Sequence, residues 1–145
     1  LLGERTVNVD CDVLEADGGT RTASITGGFV ALALAFGKLA AAGSIPRGAL
    51  RDQVAAISVG HTEAGLALDL DYREDSKARV DLNLVATARG GIIEVQGTAE
   101  GEAVPRADID RMIDLGLVGI ASLADLQRRT LAAAGVDLAL LMPAA

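Results

Sequence analysis

The chain has 145 residues, a hydrophobic content of 50% and a formal net charge of -7. This length fits one domain or part of one, and the apolar content excludes a disordered chain. Because phosphate backbones are bound through Lys and Arg, the negative charge taken alone argues against a nucleic-acid binder. An aromatic content of 2% also leaves few side chains for base stacking.

The compartment follows from the cysteine content and from the N-terminus. Cys11 is the only cysteine, which excludes an internal disulfide and fits a reducing compartment. The first residues, LLGERTV, lack a basic region followed by a long apolar stretch, so we expect no signal peptide. No apolar run looks long enough for a membrane span. We therefore expect a cytoplasmic protein without a membrane partner. The missing initial Met leaves open a fragment or a processed product.

The first predicted elements are a strand and a helix. Residues 6–13, TVNVDCDV, alternate between apolar and polar positions, which predicts a half-buried strand with Cys11 on its apolar face. The turn signal ADGG follows. Residues 23–42 are apolar nearly all round and predict a well-buried helix that stops at Gly43.

The middle of the chain predicts four strands. They cover residues 53–60, 66–72, 79–88 and 90–101, and the short turns between them favour an antiparallel meander. A long helix is predicted over residues 106–134 from its apolar stripe at helical spacing. The order strand, helix, strands, helix predicts an α+β fold.

Two features of the C-terminal part are less regular. Gly116 and Gly119 weaken the long helix and suggest a close packing contact there. The residues after Gly135 are apolar but carry no clear pattern.

The segment GGTRT is the first candidate site. A glycine-rich turn that leads into a helix exposes backbone N–H groups at the positive end of the helix dipole. Thr20 and Thr22 add hydroxyl groups, and Arg21 adds a planar fork that can hold two phosphate oxygens. The alternative is a tight turn at Gly18 and Gly19 with a solvated Arg21.

An acidic constellation in DLDYREDSKARVD is the second candidate site. Asp69 and Asp71 are predicted to point the same way on a strand. Asp75 lies in the polar loop that follows, and a hairpin can bring it close to Asp81. Two neighbouring carboxylates can hold Mg²⁺ with waters, or one can act as a general acid. The alternative is a solvated polar sheet face.

Three long segments resemble one known family in the same order. They are GERTVNVDCDVLEADGGTRTASITG, LDLDYREDSKARVDLNLV and IIEVQGTAEG, and they resemble bacterial ribonuclease PH over nearly the whole chain up to about residue 131. The resemblance implies a fold like that of ribosomal protein S5 domain 2, here as a partial fold with a mixed or antiparallel sheet packed on helices. Residues 1–145 would be the C-terminal portion of one ribonuclease PH domain, with an uncertain tail at 135–145.

The resemblance also implies an activity. Members of this family are phosphate-dependent 3′-to-5′ exoribonucleases, or tRNA nucleotidyltransferases, that trim the 3′ ends of tRNA precursors and assemble as hexameric rings. Inorganic phosphate attacks the terminal phosphodiester and a nucleoside diphosphate leaves. The family's phosphate-binding segment matches Gly19, Thr20 and Arg21. Its two catalytic aspartates, associated with Mg²⁺ or Mn²⁺, match Asp75 and Asp81.

The chain departs from the family pattern at several positions. Glu15 replaces a glutamine, and Arg73 and Arg79 stand where acidic residues are common. In the family, a first half of the fold with many basic groups precedes this sequence, which would account for the negative charge of this chain. The rival hypothesis is therefore a truncated or non-catalytic subunit that assembles with a fuller partner.

Overall fold

The structure is a computed structural model that describes residues 2–143. Its helices and strands, in chain order, are α1 (Thr20–Ala41), β1 (Val54–Thr62), β2 (Gly65–Leu68), α2 (Tyr72–Asp75), β3 (Val80–Thr87), β4 (Ile92–Ala99), α3 (Arg106–Ala133) and α4 (Leu138–Leu141). This order confirms the predicted α+β class, and the long C-terminal helix and the last two strands lie close to their predicted bounds.

The four strands form one antiparallel sheet in the order β2-β1-β3-β4. The predicted meander is therefore wrong, because a meander would place β2 between β1 and β3. The chain instead passes through α2 and returns on the other side of β1. There β3 pairs with β1 along its whole buried length, from Val54↔Thr87 to His61↔Val80. His61 lies in β1, which extends two residues beyond the end of the strand predicted over residues 53–60.

One face of the sheet is apolar and packs against α3. Alternate positions of β1 and β3, such as Val59 and Leu84, are fully buried there together with Met112 of α3. The two glycines of α3 allow this approach. A Cβ on Gly116 would lie 2.7 Å from Leu84 Cδ2, and one on Gly119 would lie 2.5 Å from Ile57 Cδ1. The close packing contact predicted at these glycines is confirmed.

A second apolar cluster joins the C-terminal half of α1 to the end of the chain. Phe29, Ala33 and Phe36 of α1 are buried with Leu138 and Leu141 of α4. The apolar tail after residue 135 thus forms part of the core, and its Gly135 adopts a positive φ of 78° at the end of α3.

Partly and fully buried polar side chains fix the N-terminal half of α1 on β1. Thr26 Oγ1 donates to the carbonyl oxygen of Ala56 (3.0 Å) and accepts from its N–H (2.9 Å). Gln127 Nε2, from α3, donates to the carbonyl oxygens of Thr26 (2.9 Å) and Val54 (3.0 Å). Because buried polar groups are costly when unpaired, these contacts hold α1, β1 and α3 in one arrangement.

The burial predicted for the first helix is wrong. Helix α1 has 22 residues, and only 17% of its most apolar window, of mean hydropathy 1.6, is buried. By length and composition alone, this helix could cross a membrane, so the expectation that no apolar run is long enough is also wrong. Its contacts with β1, α3 and α4 make it a packing helix of the folded chain.

The strand predicted over residues 6–13 is absent from the structure. The segment is without regular secondary structure and exposed, including Val7 and Val13. Cys11, predicted to be buried, is an exposed thiol. A strand requires a neighbouring strand for its backbone groups, and none of residues 2–143 provides one here. The segment instead rests beside α1, where a Cβ on Gly28 would lie 3.2 Å from Val9 Cγ1.

Candidate functional site

The site lies on the sheet face opposite α3. Since side chains alternate along a strand, Ser58, Asp81 and Asn83 point away from the buried row that contacts α3. Ser58 and Asn83 are directly paired across β1 and β3, and Asn83 pairs in turn with Gln96 of β4. A polar row therefore runs across the middle of the sheet.

The N-terminus of α1 adjoins this polar row. The helix begins at Thr20, three residues before its predicted start, so Thr20 and Arg21 belong to its first turn. Gly19 precedes it with a φ of 70°, a left-handed conformation that glycine adopts readily. No side chain caps this end, so the first backbone N–H groups and the helix dipole remain available to an anion. Thr22 is not available, since its Oγ1 donates to the carbonyl oxygen of Gly19 (2.9 Å).

The acidic segment is shaped by a short helix that replaces the predicted end of the second strand. Asp71 Oδ1 accepts from the N–H of Glu74 (2.8 Å), while Glu74 Oε2 accepts from the N–H of Asp71 (3.1 Å). This capping box starts α2, so β2 ends at Leu68 and Asp69 adopts a φ of 55°. The prediction that Asp69 and Asp71 share a strand face is therefore wrong.

Two contacts hold the glycine-rich turn against the acidic segment. Asp17 Oδ1 accepts from the N–H of Tyr72 at 2.8 Å, which adds a second carboxylate at the start of α2. Gly18 packs directly on the backbone of Leu70, since a Cβ there would lie 2.9 Å from the Leu70 carbonyl carbon and closer still to its oxygen. The capping pattern D-x-x-E was visible in the sequence, whereas the Asp17 contact was not.

One small cavity of about 160 Å³ collects the predicted site residues. Its lining consists of Gly19, Thr20, Arg21, Ser58, Leu70, Asp75, Asp81 and Asn83. All five residues that the resemblance marks as functional are thus brought together from three parts of the chain. Ser58 and Asn83 were missed by the sequence analysis, and only the strand register could have indicated them.

The protonation of Asp81 depends on its burial and on its neighbour Asp75. Burial raises the pKa of Asp81 above its ordinary value, and the nearby negative charge of Asp75 raises it further. Both effects disfavour a second full negative charge in the cavity. Asp81 is thereby suited to hold a proton at higher pH than a solvated aspartate.

Arg21 makes an ion pair across the opening of the site. Its Nη2 lies 2.9 Å from Oε1 and 3.0 Å from Oε2 of Glu94 on β4. In the sequence, Glu94 alternates with Ile93 and Val95, which indicates only a polar position on a half-exposed strand. Its position depends on the β3–β4 register, in which it pairs with Val85.

The oxygen ligands of the cavity fit a hard cation only in part. Among residues 2–143 no cluster of three or more His, Cys, Asp or Glu side chains is placed to hold a metal ion. Mg²⁺, however, is commonly held by one or two carboxylates together with waters and substrate phosphates. Asp75 and Asp81, whose mutual repulsion a cation would relieve, provide that number of carboxylates.

The remaining positions marked by the sequence analysis lie outside the cavity. Glu15, Arg73 and Arg79 are exposed, and none of them lines it. Glu15 borders a larger groove between residues 10–18 and α1. The departures from the family pattern therefore alter the surroundings of the site and not its lining.

Known proteins resemble this chain in sequence and in structure. Residues 52–119 match the family model described as 3′ exoribonuclease family, domain 2. Over 131 residues, 90% of the chain, the sequence is 56% identical to ribonuclease PH from Moorella thermoacetica. By both comparisons the chain is similar to a C-terminal portion of ribonuclease PH. It spans about half of that relative, 52% of its length.

A solved structure shows the same fold. Rrp46 from rice (Oryza sativa) superposes with a TM-score of 0.60 at 25% identity, over 80% of this chain and 49% of that one. The arrangement of the antiparallel sheet and its helices is therefore shared with Rrp46.

Proposed function

We propose that this chain carries phosphate-binding and catalytic residues of a phosphorolytic 3′-to-5′ exoribonuclease. The observation that carries the proposal is the shared cavity. An uncapped helix N-terminus with Arg21 lies on one side of it, and the Asp75 and Asp81 carboxyls lie on the other. The 56% identity to a ribonuclease PH supports the same function.

In this reaction inorganic phosphate is the nucleophile. The backbone N–H groups near Gly19 and Thr20 and the guanidinium of Arg21 would bind and orient it, and they would offset the repulsion between two anions. A phosphate oxygen forms a bond to the terminal phosphorus of the RNA, and the bond from that phosphorus to the preceding 3′ oxygen breaks. The terminal nucleotide leaves as a nucleoside diphosphate.

The departing 3′ oxygen needs a proton. Asp81 can donate this proton, because burial and the charge of Asp75 raise the pKa of Asp81. Mg²⁺ or Mn²⁺, when bound, would be held by the Asp75 carboxylate and by the Asp81 oxygen that carries no proton, and would supply neutralising positive charge at the reacting phosphate. Ser58 and Asn83 would contribute polar contacts to the floor of the same cavity.

The substrate and assembly are part of the proposal. A tRNA precursor with extra 3′ residues is the proposed substrate, a homohexameric ring the proposed assembly and the cytoplasm the proposed compartment. Residues 1–145 would contribute the C-terminal portion of one domain, and RNA-binding basic groups would come from outside this acidic chain.

The test measures nucleotide release from a tRNA with a few additional 3′ residues, with Mg²⁺ and with or without phosphate. Nucleoside diphosphates that appear only with phosphate are expected. An Asp81→Asn variant should lose about 10²- to 10⁴-fold in rate, whereas Asp114→Asn, an exposed aspartate of α3, should keep it. Release of nucleoside monophosphates without phosphate would contradict the proposal.

A specific observation also favours a non-catalytic subunit as the second candidate. The segment over residues 6–13 has a strand pattern but no partner strand within residues 2–143, and β4 is an edge strand with Ile92, Ile93 and Val95 exposed. Unpaired edges favour association with another chain. If this candidate is right, the chain will release no nucleotide alone, and a complex with a chain that supplies the partner strands will form in size-exclusion chromatography.

A further inference from the structure

The carboxylate of Glu94, which pairs with Arg21, lies where a bound anion is expected. Arg21 lies in the first turn of α1, where the helix dipole disfavours a positive side chain, and that turn holds no acidic residue. The compensating carboxylate comes from another element, Glu94 of β4, 73 residues along the chain. In the absence of a ligand, Glu94 is therefore the counter-anion of Arg21.

The geometry leaves part of the guanidinium free. Both oxygens of Glu94 approach the same nitrogen, Nη2, and among residues 2–143 Arg21 makes no other side-chain hydrogen bond. The N–H groups on Nε and Nη1 remain for a second anion. Arg21 also lines the cavity that contains Asp75 and Asp81, whereas Glu94 does not.

We propose that the Glu94 carboxylate, by sharing Arg21 with inorganic phosphate, keeps the phosphate affinity of the site low. This inference rests on the proposed function, because it assigns Glu94 a role at the same phosphate site. A dianionic phosphate beside Arg21 would share the guanidinium with a carboxylate and be repelled by it. Weak binding of this kind suits a reactant that is consumed and must be replaced at every step of a stepwise trimming reaction.

The alternative role for Glu94 is to hold Arg21 in its productive position. The exposure of the pair decides between the two effects. The side chains of Arg21 and Glu94 are 48% and 41% exposed. The ion pair is therefore solvated and does little to hold Arg21 in one position. Solvent and salt also screen the repulsion between a phosphate dianion and the Glu94 carboxylate. This repulsion, however, acts on both negative charges of the phosphate. Removal of the Glu94 charge is therefore expected to tighten phosphate binding.

The experiment compares four forms of the protein, namely wild type, Glu94→Gln, Glu94→Ala and Glu63→Gln. Glu63→Gln removes the same charge from an exposed turn outside the cavity and serves as the matched control. Inorganic phosphate is titrated into each form while the NMR resonance of the Arg21 Nε–H group is followed. The KM for phosphate and the KM for RNA are then measured separately.

Glu94→Gln should bind phosphate about fivefold more tightly than wild type, as expected for one removed charge in a solvated site. Glu94→Ala should change in the same direction, Glu63→Gln should match wild type, and the KM for RNA should stay constant. Unchanged or weaker phosphate binding in Glu94→Gln, with a normal response of Arg21 in wild type, would overturn the role of Glu94 and leave the proposed function standing. If the Arg21 resonance of the wild-type protein does not change when phosphate is added, both the role of Glu94 and the proposed function are overturned.

Discussion

Gly18 lies against the backbone of Leu70 so closely that no larger residue fits between them. This contact presses the glycine-rich turn before α1 onto the segment that leads into α2. Arg21 follows the first of these segments and Asp75 follows the second. The distance between these two halves of the candidate site therefore depends on the absence of a side chain at Gly18.

Gly18→Ala should therefore damage the site more than it damages the rest of the fold. The new Cβ would meet backbone atoms, which cannot rotate away, so the turn must move outward. We expect phosphorolysis to fall by about 10²-fold, as is typical for misplacement of catalytic groups by about an ångström. The matched control is Gly27→Ala in α1, where a Cβ meets nothing within 4 Å. Equal rates for the two variants would contradict this prediction.

Asp17→Ala tests the second contact between the same segments. Its carboxylate accepts the N–H of Tyr72 at the start of α2, and loss of such a cap commonly costs about 0.5–2 kcal/mol. The free energy of unfolding, measured in urea, should fall within this range, and the KM for phosphate should rise. Asp12→Ala, an exposed aspartate of the same N-terminal segment without a capping contact, is the control. A fully stable and fully active Asp17→Ala variant would exclude a positioning role.

Asp75→Asn should lower the pKa of Asp81 without returning it to its ordinary value. Burial is the larger cause of the raised pKa and remains in the variant, whereas the charge of Asp75 is removed. An NMR titration of the Asp81 carboxyl in both proteins measures this directly. No change between the two proteins would show that the aspartates do not interact.

The raised pKa of Asp81 also has a consequence for stability. The folded protein holds this proton more firmly than the unfolded chain, whose reference pKa is 3.8. The contribution of Asp81 to folding is thus most favourable below that pH, and it declines as pH rises through the folded-state pKa. Relative to wild type, Asp81→Asn should consequently gain stability above this window and not below it, as measured by urea unfolding at several pH values.

Arg21→Lys should weaken phosphate binding although it keeps the charge. Lysine lacks the planar fork that can contact phosphate and Glu94 at once, so we expect a rise of about tenfold in the KM for phosphate. Arg47→Lys, at an exposed position between α1 and β1, should leave that KM unchanged. An unchanged KM in Arg21→Lys would mean that only the charge of Arg21 matters.

Much of the fold could be predicted from local patterns. The long helix after Pro105 and the strand that became β3 were found because their apolar residues recur at one clear period. The strand predicted over 66–72 failed because the capping box of Asp71 and Glu74 outweighed the alternating pattern. The strand predicted over residues 6–13 is absent because an alternating pattern indicates only which side chains share a face. A strand also needs a neighbouring strand, which the described residues do not provide there.

The residues of the candidate site also fall into two groups, those that the sequence indicated and those that it did not. Gly19, Thr20, Arg21, Asp75 and Asp81 were found through the family resemblance, with physical chemistry as support. Ser58, Asn83 and Glu94 join the site or its rim through strand register, which connects residues far apart in the chain. No local pattern in the sequence carries that information.

Helix α1 links distant parts of the molecule through its two ends. Arg21 stands in its first turn, and its later residues are buried with Leu138 and Leu141 of the C-terminal tail. Gln127 of α3 holds the same helix in its middle. The tail and the phosphate site should therefore open together as one cooperative unit, with matching hydrogen-exchange protection, even though neither touches the other.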